Sequence, residues 1–366
     1  MLPTGERLLL GPGPSPVSRR VQEALSAPPR SHLDADVMAL LDDIRARLHR
    51  LFRAPGGASV LAISGTGTSA MEAAVSNTVQ PGLRALAIVT GYFGDRLAGM
   101  MERHGASVTT IHVEWGRAVD PDAVRSALSK HKYDIVSVVH AETSTGVRNP
   151  VDAIGPLARE HGAIVIADTV TSLGALPLDM DLWQLDVCYS CSQKGLGAPP
   201  GLSPIAFGPR AIDRKVTCRN FSLDFSLLED FWLRRKYHHT ISSPLVYALA
   251  TALAEVEEEG IGVRWARHES VHRQLVAGLA EMGLDLLPPE SERLWNLNAV
   301  RVPDNRVEAK VRACLLEDHD IEVGAGLGPL AGRIWRVGLM GSGATPENVD
   351  RLLGALPGAL MVGRKT

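Results

Sequence analysis

The sequence predicts an α/β protein whose mostly parallel sheet is covered by helices and followed by a smaller α+β unit. Three observations carry this. Short apolar segments alternate with helical patterns from about residue 60 to residue 207. Ala163 to Asp168 has the unbroken Ile/Val run of a strand buried on both faces. That segment and the next, Asp186 to Gly195, both end in polar residues. Ligands of open α/β sheets lie beyond the carboxyl ends of the strands, so Asp168 and Lys194 are expected to face one crevice.

Leu8 to Pro16 holds three prolines and two glycines, which forbid a helix and imply a stiff, extended entry. A helix over 34–53 follows from Asp34 as cap and from Val37, Leu40, Leu41, Ile44, Leu48 and Leu51 at helical spacing. Val60–Ile63 reads as a strand, and a helix opens near Ala70 after the turn at 64–69. Further strands are expected at 85–89, 107–113, 135–139, 164–167, 187–190 and 205–207, with helices at 95–104, 121–130 and 151–161. Residues 210–243 show aromatic and basic clusters with little periodicity. A helix at 245–259 has Pro244 near its start and Gly260 at its end. Beyond it, helical patterns near 264–282, 306–318 and 346–360 alternate with strand patterns near 294–302, 320–324 and 333–339. The length of 366 residues suits two domains. The expected division is 15–250 for the large one and 251–366, joined by the segment 1–14, for the small one.

Composition narrows the function classes. A net charge of −3 offers no electrostatic reason for nucleic acid or an anionic membrane as partner, and aromatic content of 5% argues against base-stacking platforms. No apolar run reaches the length of a membrane span, and the first residues lack the pattern of a signal peptide. A cytoplasmic location is expected. The four cysteines are too few for a disulfide scaffold. Cys188 and Cys191 have CxxC spacing without a second pair or a nearby His, so no metal site is expected.

The turn Gly65-Thr66-Gly67-Thr68 opens a helix after a strand, where backbone N–H groups and the helix dipole favour a phosphate. Gly65, Gly67 and Ala70 also fit the G-x-G-x-x-A dinucleotide pattern, but Thr90 closes the next strand where a ribose-binding acid is expected. No Gly-Lys-Ser/Thr follows, which excludes an ATP-type P-loop. A buried strand-end carboxylate with a Lys in a Ser/Gly-rich turn suits pyridoxal 5'-phosphate. That cofactor needs a Lys for its Schiff base and an acid for its pyridine nitrogen.

Six ordered motifs then resemble the class V aminotransferases of PLP-dependent fold type I, in particular the alanine/serine–glyoxylate (serine–pyruvate) branch. They are Leu-Leu-Gly-Pro-Gly-Pro at 9–14, Glu-Thr-Ser-Thr-Gly at 142–146, Ala-Asp-Thr-Val-Thr-Ser-Leu-Gly at 167–174, Ser-Gln-Lys-Gly at 192–195, Tyr-His-His-Thr at 237–240 and Arg-Val-Gly-Leu-Met-Gly at 336–341. The resemblance implies a large domain with a seven-stranded sheet and a ping-pong transamination between a small amino acid and glyoxylate or pyruvate. By the same resemblance Lys194 is the Schiff-base lysine and Asp168 holds the pyridine nitrogen protonated. Thr66, Gly67 and Thr68 receive the phosphate, with Gln193 beside it. Phe93 stacks on the ring where the family usually has Trp, and Thr143 approaches the phenolic oxygen. Arg336, in an apolar strand, binds the substrate carboxylate with help from backbone around Gly13. Tyr237 and Thr240 reach the phosphate of a neighbouring subunit, which makes a homodimer part of the site.

Rival readings remain. (S)-Ureidoglycine–glyoxylate transamination also fits Phe231-Trp232 with Arg234-Arg235, and Gly328 to Gly332 with Ile334 to Arg336. That branch favours Asn at 237 and Gln near 32, however, where this chain has Tyr237 and His32. A cysteine desulfurase needs a mobile Cys late in the chain, whereas Cys314 falls in an amphipathic helical pattern. A nicotinamide dehydrogenase rests on the Gly65–Ala70 pattern alone. A non-catalytic cofactor-binding protein is open to this fold, because fold does not fix function.

Overall fold

A computed structural model describes residues 5–365. Residues 1–4, part of the expected small-domain segment, and Thr366 lie outside the described residues.

The seven-stranded, mostly parallel sheet is present. Its spatial order is Ser59–Gly65, Gly201–Phe207, Val187–Tyr189, Ile164–Asp168, Ile135–Val139, Arg84–Val89 and Ser107–His112. All neighbours are parallel except Gly201–Phe207, which runs against both strands beside it. The physical reason is the connection. Only the residues between Tyr189 and Gly201 separate that strand from the one before it, and a parallel crossover needs roughly a dozen or more, usually a helix.

Helices form where periodicity and caps agree. Ala35–Phe52 is capped by the Asp34 side chain on the Asp36 N–H and buries Val37, Leu41, Ile44, Leu48 and Phe52. Pro121–Lys130 begins with Pro at its first turn behind the Asp120 cap. Three helices go beyond the sequence expectation, one of them the short Pro209–Asp213. Arg19–Leu25 buries only Val21. Phe225–Arg234 lies inside the stretch that shows little periodicity, yet buries Phe225, Leu228, Phe231 and Trp232 on one face.

The apolar interior falls into two main clusters. One spans Leu41 to Val256 and contains the sheet. The other joins Leu10 to residues of 271–359 around the three-stranded sheet of Leu297–Arg301, Ile334–Gly338 and Gly324–Ala325. The entry segment binds this second cluster through Leu8–Leu9, which pairs in parallel with Ile321–Glu322. It then runs on to Pro12 and Gly13, beside Lys194. The helix Ile261–Glu281 connects the clusters through Arg264. Its guanidinium binds Glu259 and the carbonyls of Gly174 and Gly195, the residue that follows Lys194. No described helix is long and apolar enough to cross a membrane.

Candidate active site

The sheet register builds the site. Val139, Asp168 and Tyr189 stand abreast at the carboxyl ends of three adjacent parallel strands. Above them the Gly67–Ser76 helix begins, its N-terminus open at Thr66, Gly67 and Thr68. Eight residues singled out in the sequence (Thr66, Gly67, Thr68, Phe93, Thr143, Asp168, Gln193 and Lys194) line one cavity of about 190 Å³, with Met71, Arg96, Val139 and Val170 completing the wall.

Asp168 is buried. Its Oδ1 accepts the Val170 N–H at 2.9 Å and its Oδ2 accepts the Tyr189 hydroxyl at 2.9 Å. Burial pushes its carboxyl up to about 6, against the pull of those two donors, and neighbouring Glu142 adds to the rise. Lys194 lies under Gly13, and its ammonium donates to the Pro12 carbonyl. Gly13 has a φ of +111°, which other residues rarely adopt, and a Cβ there would stand 2.7 Å from the end of the Lys194 side chain and displace it. Burial pulls the Lys194 amine below its ordinary range.

Arg336 stands in the Ile334–Gly338 strand, 7% exposed. Nε donates to the Ala325 carbonyl at 2.7 Å and Nη1 to the Thr143 carbonyl at 3.4 Å. No carboxylate lies within ion-pair distance of it, and Nη2 has no partner, among the described residues. Burial lowers its pKa to about 10, with Glu142 the one charge that counters this.

Three residues matter here that sequence reasoning missed. Glu142 is fully buried and accepts the Phe93 and Gly94 N–H groups at the start of the Tyr92–Arg103 helix, as well as the Ser144 N–H and hydroxyl. It thereby fixes the backbone that carries Phe93. Arg96 lies over the Phe93 ring at 5.0 Å and donates to the Thr68 hydroxyl at 3.2 Å, joining the ring to the phosphate-type turn. A one-turn spacing from Phe93 could have revealed it. Tyr189 needed the strand register.

Tyr237 and Thr240 are exposed and do not line this cavity. Between them, His239 bonds Ser64, the residue before the glycine-rich turn, at 2.8 Å. Cys188 and Cys191 are buried strand-end thiols whose pKa values burial raises. Cys314 sits in the Glu308–His319 helix with its thiol on Asp318, within the smaller core. No group of three His, Cys, Asp or Glu side chains able to hold a metal occurs among the described residues.

These donors fit a phosphorylated pyridine aldehyde. A helix N-terminus awaits the anion, a buried carboxylate the ring nitrogen, and a buried amine the aldehyde, while the Gln193 side-chain oxygen is buried without a partner. Fold and donor set together define an enzyme of the fold-type-I aminotransferase kind. The chain belongs to the class-V aminotransferases, whose family model matches residues 16–352. That family is dependent on pyridoxal phosphate.

The chain is 44% identical to a structure of alanine–glyoxylate aminotransferase from Nostoc sp., with a TM-score of 0.95 over 98% of this chain and 96% of that one. It is 35% identical to alanine–glyoxylate aminotransferase of Drosophila melanogaster, over 97% of this chain and 92% of that protein. A structure of ureidoglycine–glyoxylate aminotransferase from Bacillus subtilis is 34% identical, with a TM-score of 0.95 over 98% of this chain and 94% of that one.

Proposed function

We propose that the chain transfers the amino group of a small amino acid, alanine or serine, to glyoxylate or pyruvate, using pyridoxal phosphate held in the cavity described above. The observation that carries this reading is the conjunction of Lys194, Asp168 and the carboxylate-free guanidinium of Arg336 around one site. Bound pyridoxal phosphate supplies the electron sink for the pair left when the donor loses its Cα proton.

The chain's residues do the rest. Thr66, Gly67 and Thr68 present N–H and hydroxyl donors to the phosphate, with Gln193 alongside. Phe93 and Thr143 line the cavity, where Phe93 would offer its face to the ring and the Thr143 hydroxyl, held by Thr171, would serve the phenolic oxygen. Asp168 carries the counter-charge for a protonated ring nitrogen. Lys194 would hold the aldehyde through its amine and, as the free amine, would take the proton from the substrate Cα onto Nζ. Its depressed pKa favours the neutral amine that both tasks require. Positioned proton transfer of this kind contributes about 10²–10⁴-fold. The fork of Arg336 would bind the α-carboxylate, and Gly13 leaves room for the Lys194 side chain.

Tyr237 and Thr240 lie outside their own chain's cavity, and Tyr237 is 66% exposed. In a homodimer they reach the phosphate of the partner, so each site needs both chains. A ureidoglycine donor is the second reading, supported by the likeness to the Bacillus subtilis structure. Against it, the two departures from that branch, His32 and Tyr237, lie together with ring centroids 5.7 Å apart.

The test is a visible spectrum of the purified, cofactor-loaded protein during addition of alanine or serine and then glyoxylate. Bleaching by the donor and return with glyoxylate supports the reading. A band that responds only to ureidoglycine replaces the donor, and no band after added pyridoxal phosphate overturns it.

A further inference from the structure

We propose that Tyr189 is a positioning residue that keeps the proton shared between Asp168 and the cofactor on the ring nitrogen rather than on the carboxylate. The inference rests on the role given to Asp168 above.

The geometry leaves the phenol little else to do. Asp168 and Tyr189 are register partners on adjacent parallel strands, so their side chains rise on the same face of the sheet. The Tyr189 hydroxyl donates to Asp168 Oδ2 at 2.9 Å and has no other partner among the described residues. The ring is completely buried in the larger core, and a phenylalanine would fill the same ring volume. The hydroxyl is therefore not required for packing. It does not line the cavity; it acts through the carboxylate.

The electrostatics say which form of Asp168 it favours. Glu142 opposes ionisation of Asp168 and Lys194 assists it, while desolvation outweighs both. The phenol and the Val170 N–H are the two donors that resist this drift towards a neutral acid. Tyr189 itself is pushed well above the usual phenol range by burial and by Asp168, despite Arg96 nearby, so it stays a donor at any working pH. A proton between a carboxylate and a pyridine nitrogen settles on the more basic partner. Each hydrogen bond to the carboxylate makes it less basic. Without the phenol, the proton moves towards Asp168, and the ring loses the positive charge that lets it accept electrons.

The experiment compares wild type with Tyr189→Phe in two measurements. In the first, the full chain without cofactor carries ¹³C-labelled aspartate, and the Asp168 carboxyl is titrated by NMR, its resonance assigned with Asp168→Asn. Tyr189→Phe is expected to raise the midpoint by about one pH unit, since hydrogen bonds to charged groups contribute on the order of one to two such units. In the second, both proteins are loaded with pyridoxal phosphate labelled with ¹⁵N in the ring. The ring-nitrogen resonance of the variant is expected to move from the pyridinium towards the neutral pyridine position. The rate of the donor half-reaction should fall about tenfold, with the donor KM within about twofold.

An unchanged carboxyl midpoint with an unchanged ring-nitrogen resonance overturns the proposal. So does a loss of rate that leaves both signals where they were, which marks a structural role. If Tyr189→Phe does not fold, Tyr189 replaced by 3-fluorotyrosine, a stronger donor, must lower the wild-type midpoint; no change overturns the proposal. Failure of the wild-type chain to take up the labelled cofactor is a different result, because it sinks the function proposed above.

Discussion

Replacing Arg336 with methionine is expected to damage catalysis severely while leaving the fold as stable as before. The two halves come from the same geometry. A guanidinium fork on a carboxylate makes two charge-assisted bonds of about 1.5–3 kcal/mol each. Losing both, with some recovery from water, costs about 3–4 kcal/mol, or roughly 10²–10³ in kcat/KM for donor and acceptor alike. On the stability side, burial lowers the Arg336 pKa from 12.5 to about 10. That corresponds to about 3 kcal/mol of unfavourable burial of charge. Against it stand the carbonyls of Ala325 and Thr143, which lose one donor each at about 1 kcal/mol. The net change is close to zero or stabilising. Steady-state rates with alanine, serine and glyoxylate test the first half, and denaturant unfolding of the cofactor-free chain tests the second. If kcat/KM stays within about threefold of wild type, Arg336 does not bind the substrate carboxylate. If stability falls by several kcal/mol instead, the guanidinium is structural and its charge is compensated within the fold.

Three other outcomes follow from named contacts. Glu142→Gln can keep an acceptor on the Phe93 and Ser144 N–H groups but then puts its amide donor against the Gly94 N–H; a loss of about 1–3 kcal/mol is expected, with weaker cofactor binding, seen by thermal unfolding and cofactor titration. Arg264→Met leaves Glu259 with Arg267 but strips donors from Gly174 and Gly195, so unfolding should become easier by about 3 kcal/mol, and a loss below about 1 kcal/mol contradicts the bridging role. Asp168 has its folded pKa raised from 3.8 to about 6, so the stability it adds is present below about 3.8 and is lost as pH rises through about 6. Asp168→Asn should therefore stabilise the cofactor-free chain by about 1 kcal/mol more at pH 8 than at pH 5, and an equal change at both removes the linkage.

Much of this architecture was legible because burial and alternation leave marks on a sequence. The run at 163–168 can hardly be anything but an interior strand, and the strand-end rule then places Asp168 beside the crevice without any knowledge of side-chain contacts. Lys194 followed by the same logic. The direction of Gly201–Phe207 left no comparable mark, since composition does not encode strand polarity and only the short connection forces the reversal. Phe225–Arg234 did carry a mark, since Phe225, Leu228, Phe231 and Trp232 recur at helical spacing behind the Asp224 cap, but it covers only ten residues of a longer stretch without a pattern. Tyr189 read as one more apolar strand residue beside a CxxC spacing. Its relation to Asp168 depends on which residues stand abreast in the sheet, and register is a property of two strands at once.

Four buried charges in and beside the cavity are perturbed in the direction that a ligand of mixed charge would relieve. Burial pushes Asp168 and Glu142 towards the neutral acid and pulls Lys194 and Arg336 below their ordinary ranges. Each charge is held by neutral donors or acceptors rather than by an opposite charge in ion-pair contact. A protonated ring nitrogen on Asp168 and a substrate carboxylate on Arg336 would supply the two missing counter-charges, so binding is linked to stability. A chain whose own ion pairs satisfied these groups would be more stable alone and a poorer binder. Stabilisation by a carboxylate ligand should accordingly disappear in Arg336→Met and persist in Arg264→Met, because only the first of these guanidiniums lacks an ion-pair partner among the described residues.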